Sequence, residues 1–215
     1  MKRVFGLFEG VFDGLYLTSA LGLGLYLLVS GGGIARCLGG IMALVLVGGD
    51  AFHLIPRMAV IAGRDEEKLR PALGRGKQIT SISMTVFYLL LWQLGLSLFS
   101  PKPAMGLSYL AYGLAALRIF LCLLPQNGWQ KRYPPLSWGI LRNIPFFLLG
   151  LLVSALFYMN RAAVSGLSLM WLAILLSFAF YLPVVLWANK NPKVGMFMLP
   201  KTCVYLWMLA SFLSL

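Results

Sequence analysis

The run Gly48-Gly49-Asp50-Ala51-Phe52-His53-Leu54-Ile55-Pro56-Arg57 concentrates the chemistry of this chain. The sequence has six acidic residues and one histidine, and this run holds one carboxylate and the sole imidazole within four positions. On a helix, Asp50, His53 and Arg57 fall at i, i+3 and i+7, so an acid, an imidazole and a guanidinium share one face. A second carboxylate, Asp13, lies one turn after Glu9 in the first apolar segment. In hydrocarbon an ionised group costs about 2.5–3.5 kcal/mol even on the mildest scale, so each needs a partner or water. The plain structural alternative is that Arg57 reaches for the surface while Asp50 and His53 tie neighbouring helices together. The chemical reading takes Asp13 and Asp50 as two carboxyl groups at similar depth. One would donate a proton and the other accept one, an arrangement suited to general acid–base hydrolysis. Asp50, Asp13 and His53 are the expected catalytic set. There is no G-x-S-x-G elbow, no serine beside the histidine and no Cys–His pairing. One histidine without H-x-x-x-H spacing does not point to a metal, and no cofactor is expected.

The elements that hold these residues are set by composition. Hydrophobic residues make up 60% of the 215 and charged residues 11%, against about 25% charged in a soluble domain. Apolar runs of about 20 residues are long enough to cross a bilayer. Seven are expected, at 9–30, 36–58, 79–99, 104–125, 138–159, 165–188 and 197–215. The fold class is therefore all-α, a single polytopic membrane domain over 1–215 with seven transmembrane helices. Residues 64–77, rich in charge, read as the only sizeable loop. Met1-Lys2-Arg3 resembles the start of a signal peptide, but Glu9 and Asp13 interrupt the apolar run, so a retained helix is expected. Cys37, Cys122 and Cys203 share no ligand or redox spacing and read as small core residues.

The formal net charge is +12, but the basic residues sit at segment ends rather than in one stripe, which argues against nucleic acid. Alternating the segments puts Arg36, Lys102 and Arg161 on one side and the other fifteen of the 18 basic residues on the opposite side. The positive-inside rule then places the N-terminus in the cytoplasm and the C-terminus outside. A bacterial cytoplasmic membrane is the expected location. Arg57, Arg118, Arg142 and Lys201 all fall near the basic side, and Tyr205 follows Lys201 by one turn. Together they read as a funnel with a cationic mouth and carboxylates deeper inside, Arg118 pairing with Asp50 or Asp13. Four cations against two or three carboxylates would favour a phosphate-bearing guest, bound by Arg57, Arg118, Arg142, Lys201 and Tyr205. Phe12, Tyr16, Phe52, Tyr88, Trp92 and Trp138 are further aromatic candidates for its walls.

The run Gly49-Asp50-Ala51-Phe52-His53-Leu54-Ile55-Pro56-Arg57, ending one apolar helix and followed by another, resembles the YhhN family. That resemblance implies a compact helical bundle and lysoplasmalogenase activity, the hydrolysis of a vinyl-ether bond. It carries over Asp50 alone, as the catalytic acid. The family's second aspartate has no counterpart in Ser177-Phe178-Ala179-Phe180-Tyr181-Leu182-Pro183, so Asp13 would have to supply the second carboxylate.

Two functions of different kind follow. One is a membrane hydrolase acting on an anionic lysolipid from the cytoplasmic leaflet. The other is a transporter or a binding and sensory protein for a small organic anion, with Asp50–His53 as a proton relay and prolines 125, 145, 183 and 200 as hinges. A membrane lipid or a phosphorylated small molecule is the expected partner in either case, and the sequence leaves the oligomeric state open.

Overall fold

The computed structural model describes residues 2–100 and 104–215, and the regular structure among them is helical throughout. Seven α-helices follow in order: α1 (Lys2–Val29), α2 (Gly33–Ile61), α3 (Glu66–Phe99), α4 (Ala104–Leu123), α5 (Leu136–Met159), α6 (Met170–Trp187) and α7 (Met198–Ser211). Counting α7 with its flanking 3-10 turns, seven helical segments are long and apolar enough to cross a membrane. Each helix packs on the next in the chain, and α7 returns against α1. The ring is thereby closed, with α3 also reaching across it to α5. Short connections make consecutive helices antiparallel. The N-terminal ends of α1, α3, α5 and α7 and the C-terminal ends of α2, α4 and α6 therefore form one basic end. Arg36 and Arg161 lie at the opposite end, and Lys102 lies outside the described residues.

The bundle is apolar on both its faces, as a membrane solvent demands. Leu7, Val11 and Leu15 of α1 and Ile144, Leu148 and Leu151 of α5 point outward and are exposed, while Phe87, Tyr88, Leu91 and Trp92 of α3 are buried. Lipid tails are as apolar as leucine, so close backbone approach and hydrogen bonds, rather than apolar burial, hold such helices together. Contact between α2 and α3 uses both. Gly76 of α3 lies so near α2 that a Cβ there would stand 2.7 Å from His53 Cα. Three residues before Phe52 in α2, the Gly49 carbonyl accepts a hydrogen bond of 2.9 Å from Thr80 Oγ1. Pro56 lies inside α2 and has no N–H to donate, so the Phe52 carbonyl loses its helical partner at the same place.

The expected loop over 64–77 is instead the start of α3. The α2 helix closes with Gly63 at φ 100°, where Gly63 N–H donates to Val60 O at 3.0 Å and Arg64 N–H to Ala59 O at 3.0 Å. This is a Schellman stop, and only glycine adopts that φ without strain. Asp65 then caps the new helix by accepting from Glu67 N–H at 2.9 Å, and Glu66 and Glu67 in the first turn suit the helix dipole. The charge-rich stretch is helical because it begins with its own cap. At 34 residues, α3 is about 51 Å long, far beyond the roughly 30 Å of a bilayer core. The cysteines also depart from expectation: Cys122 is buried, but Cys37 and Cys203 are exposed on outward faces.

Candidate active site

Three helices bring polar stripes to one place. Glu9, Asp13 and Tyr16 fall at i, i+4 and i+7 on α1. Asp50, His53 and Arg57 fall at i, i+3 and i+7 on α2, and Met198, Lys201 and Tyr205 do the same on α7. These faces converge near the basic end around a cavity of about 240 Å³, completed by Thr80 of α3. Asp13 and Asp50 both line it, together with Glu9, His53, Arg57, Lys201 and Tyr205.

The mouth is tied by an ion pair. Arg57 Nε donates to Glu9 Oε1 at 2.9 Å and Arg57 Nη2 to Glu9 Oε2 at 3.4 Å. The two side chains are 45% and 20% exposed, which fixes this pair at the rim. Deeper in, Tyr16 Oη donates to Asp50 Oδ2 at 2.7 Å. The Lys201 ammonium, in the lining of the same cavity, sits 4.7 Å from the Tyr181 ring and 5.1 Å from the Tyr205 ring. Asp13 is buried yet has no hydrogen-bond partner among the described residues, and His53 Nδ1 is likewise without one. Both groups line the cavity. The Asp13 carboxyl is thus left for whatever occupies it, whereas His53 Nδ1 is enclosed by protein.

Tyr205, which lines the cavity, belongs to a cluster of packed aromatic side chains. Tyr205 meets Phe87 edge to face at 5.6 Å, and Tyr88 packs edge to face on Phe146 at 5.1 Å. Tyr88 Oη lies 3.0 Å from Ser177 Oγ and 3.5 Å from Tyr205 Oη.

Two of the expected binding cations are elsewhere. Arg118 is fully buried, but its guanidinium lies over the Phe146 ring at 3.3 Å, and its Nε and Nη1 have no hydrogen-bond partner. It makes no ion pair with Asp50 or Asp13, because the ring face has taken the place of a carboxylate. Arg142 donates to Asn127 Oδ1 at 2.9 Å and lies over the Trp129 ring at 4.1 Å. Asn127 in turn donates to the carbonyls of Leu121 and Leu124 at the end of α4. Arg142 therefore fastens the α4–α5 connection rather than the cavity. With both removed, the lining holds three carboxyl groups (Glu9, Asp13, Asp50) and two basic side chains (Arg57, Lys201), so the expected excess of basic groups within the cavity is absent.

Tyr16 was legible only as an aromatic wall, and its hydrogen bond to Asp50 is new. The signal for it was the Glu9–Asp13–Tyr16 stripe, which puts the hydroxyl on the same face as both carboxylates. Phe52, by contrast, is 60% exposed and faces away from the cavity. No protein-family model, curated protein or solved structure matches the chain.

Proposed function

We propose that the chain is a membrane-embedded hydrolase that cleaves an acid-labile ether bond of an anionic, phosphate-bearing lysolipid entering from the cytoplasmic leaflet. The observation that carries this reading is that Asp13 and Asp50 line one small cavity whose mouth lies at the basic end. The same basic end gives the orientation: N-terminus cytoplasmic and C-terminus outside, in a bacterial cytoplasmic membrane. The likeness of the Gly49–Arg57 run to the YhhN family belongs to this reading, with Asp50 as the acid.

In the proposed reaction a protonated Asp50 transfers its proton to the alkene carbon beta to the ether oxygen of a vinyl ether, and an oxocarbenium ion forms on the carbon that bears the oxygen. Asp13, with no protein partner of its own, takes a proton from the water that attacks that ion. The resulting hemiacetal breaks into a fatty aldehyde and an alcohol, and the proton on Asp13 returns to Asp50 through water or His53. No permanent charge beyond the two carboxyl groups is needed. Tyr16 holds Asp50 from behind at 2.7 Å, so the acid meets substrate from one side only. Arg57 spends Nε and Nη2 on Glu9 and keeps Nη1 for a phosphate at the rim. Lys201 is the second cation in reach, with Tyr205 beneath it.

The test is aldehyde release by purified protein given a lysoplasmalogen. Wild type is expected to produce fatty aldehyde, and Asp50→Asn to abolish it while the protein stays monodisperse. Undiminished release by Asp50→Asn, or no release by wild type from several lysolipids, refutes the assignment. Uptake of a phosphorylated small molecule into proteoliposomes would then identify the transport alternative.

A further inference from the structure

We propose that a groove on the outer surface between α2 and α3 binds one anionic glycerophospholipid from the leaflet at the basic end. The turn of α2 that carries the candidate site has two faces. His53, Leu54 and Arg57 look into the cavity. Phe52, Ile55 and Pro56 look the other way and, with Ala72, Arg75 and Ile79 of α3, enclose a separate open groove of about 490 Å³. Such a volume falls in the range of small-molecule sites. The groove exists because the residues between its walls are small, and because Phe52 and Ile55 stand out from α2, 60% and 57% exposed.

Its charge selects the occupant. Lys68, Ala72, Arg75 and Ile79 fall at i, i+4, i+7 and i+11 on α3, so two cations stand in line with the groove towards the basic end. Both are exposed. Neither makes an ion pair: among the described residues the pairs are Arg57 with Glu9 and Arg70 with Glu67. One end of the apolar groove therefore carries uncompensated positive charge. An acyl chain fits along Phe52, Ile55 and Ile79, the lipid phosphate meets Arg75, and the headgroup beyond it turns towards Lys68. A zwitterionic lipid would bring its own cation beside these two, whereas an anionic one would not. This site is on the opposite face of α2 from the proposed catalytic cavity and does not depend on it. A lipid seated there packs against the turn where Pro56 has deprived the Phe52 carbonyl of its donor, and so braces the segment that bears Asp50 and His53.

The test uses the full chain purified in a neutral detergent, with phosphatidylglycerol and phosphatidylcholine of identical acyl chains as probes. Binding is read by native mass spectrometry and by the melting temperature, neither of which needs turnover. Phosphatidylglycerol is expected to remain bound and to raise the melting temperature more than phosphatidylcholine does. Arg75→Gln, an exposed change that leaves helix packing alone, should weaken the apparent affinity for phosphatidylglycerol about fivefold. Ala72→Trp fills the groove without changing charge and should reduce binding of both lipids. Lys131→Gln, a cation outside the groove, should change nothing. Equal binding of the two lipids by wild type, or an undiminished phosphatidylglycerol preference in Arg75→Gln, overturns the proposal.

Discussion

Replacing Tyr16 by phenylalanine isolates one hydrogen bond. The ring is kept, so the buried surroundings of Tyr16 lose no packing volume. What disappears is the donor 2.7 Å from Asp50 Oδ2. Two scales compete for its magnitude. Neutral hydrogen bonds between transmembrane helices average about 0.6 kcal/mol, with a maximum near 1.7. Bonds to a charged group contribute about 1.5–3 kcal/mol. Measured at alkaline pH, where Asp50 is ionised rather than in the protonated form that starts the proposed reaction, the low end of the charged range applies, about 1.5 kcal/mol. For a chain of this size that corresponds to a fall in melting temperature of about 3–6 °C. The assay is thermal unfolding in detergent of wild type, Tyr16→Phe, Asp50→Asn and the double variant. Because the asparagine still offers an oxygen to Tyr16 but no charge, the cycle should show a coupling energy on the order of 1 kcal/mol. A Tyr16→Phe melting temperature within a degree of wild type, with no coupling to Asp50, would refute the geometry from which the candidate site is built.

Three further outcomes are expected. Arg118→Met should leave the melting temperature unchanged or raise it: a guanidinium with two unpartnered nitrogens is removed, and the several kcal/mol of desolvation it costs exceed its attraction to the Phe146 ring, about 2 kcal/mol or somewhat more; a fall of several degrees would mean that Arg118 has a counter-ion after all. Gly76→Ala should abolish a monodisperse detergent-solubilised product, because the new Cβ would meet the backbone of Phe52 and His53 rather than a movable side chain, whereas Gly14→Ala, with open space around it, should be tolerated; normal yield of Gly76→Ala would contradict the close α2–α3 approach. A reporter fused after Leu215 should be active outside the cytoplasm, and one inserted at the α2–α3 turn should be active inside; a cytoplasmic signal after Leu215 would invert the proposed orientation.

The seven apolar spans were legible because hydrocarbon imposes one length on every segment that crosses it, and each expected run contains a helix. The boundary at α3 was not, since the charge of the stretch masks its local chemistry. Asp65-Glu66-Glu67 is a cap followed by an acidic first turn, and it starts a helix however polar the next residues are. The convergence of Asp13, Asp50, His53, Arg57 and Lys201 was readable from stripes on three segments that all approach the basic end. The partner of each group was not. Periodicity places a residue on a face but does not say which neighbour its side chain reaches. Arg118 illustrates the gap, because the rule that buried charge needs compensation does not distinguish a carboxylate from the face of Phe146. Glu9 reads in the sequence as an interruption of the first segment, and its spacing alone does not reveal that its oxygens meet Arg57 across the rim.

The packed rings of Tyr88, Tyr205, Phe87 and Phe146 have an electrical consequence. A membrane potential does work of about 2.3 kcal/mol on each unit charge per 100 mV traversed. A cavity that communicates with one compartment takes on the potential of that compartment, so most of the field falls across the packed rings instead. Carboxyl groups above the rings exchange protons with that single reservoir, and their protonation follows its pH with little regard to voltage. Two carboxyl groups can then lie within a membrane-spanning bundle and still answer to the one compartment their cavity opens to.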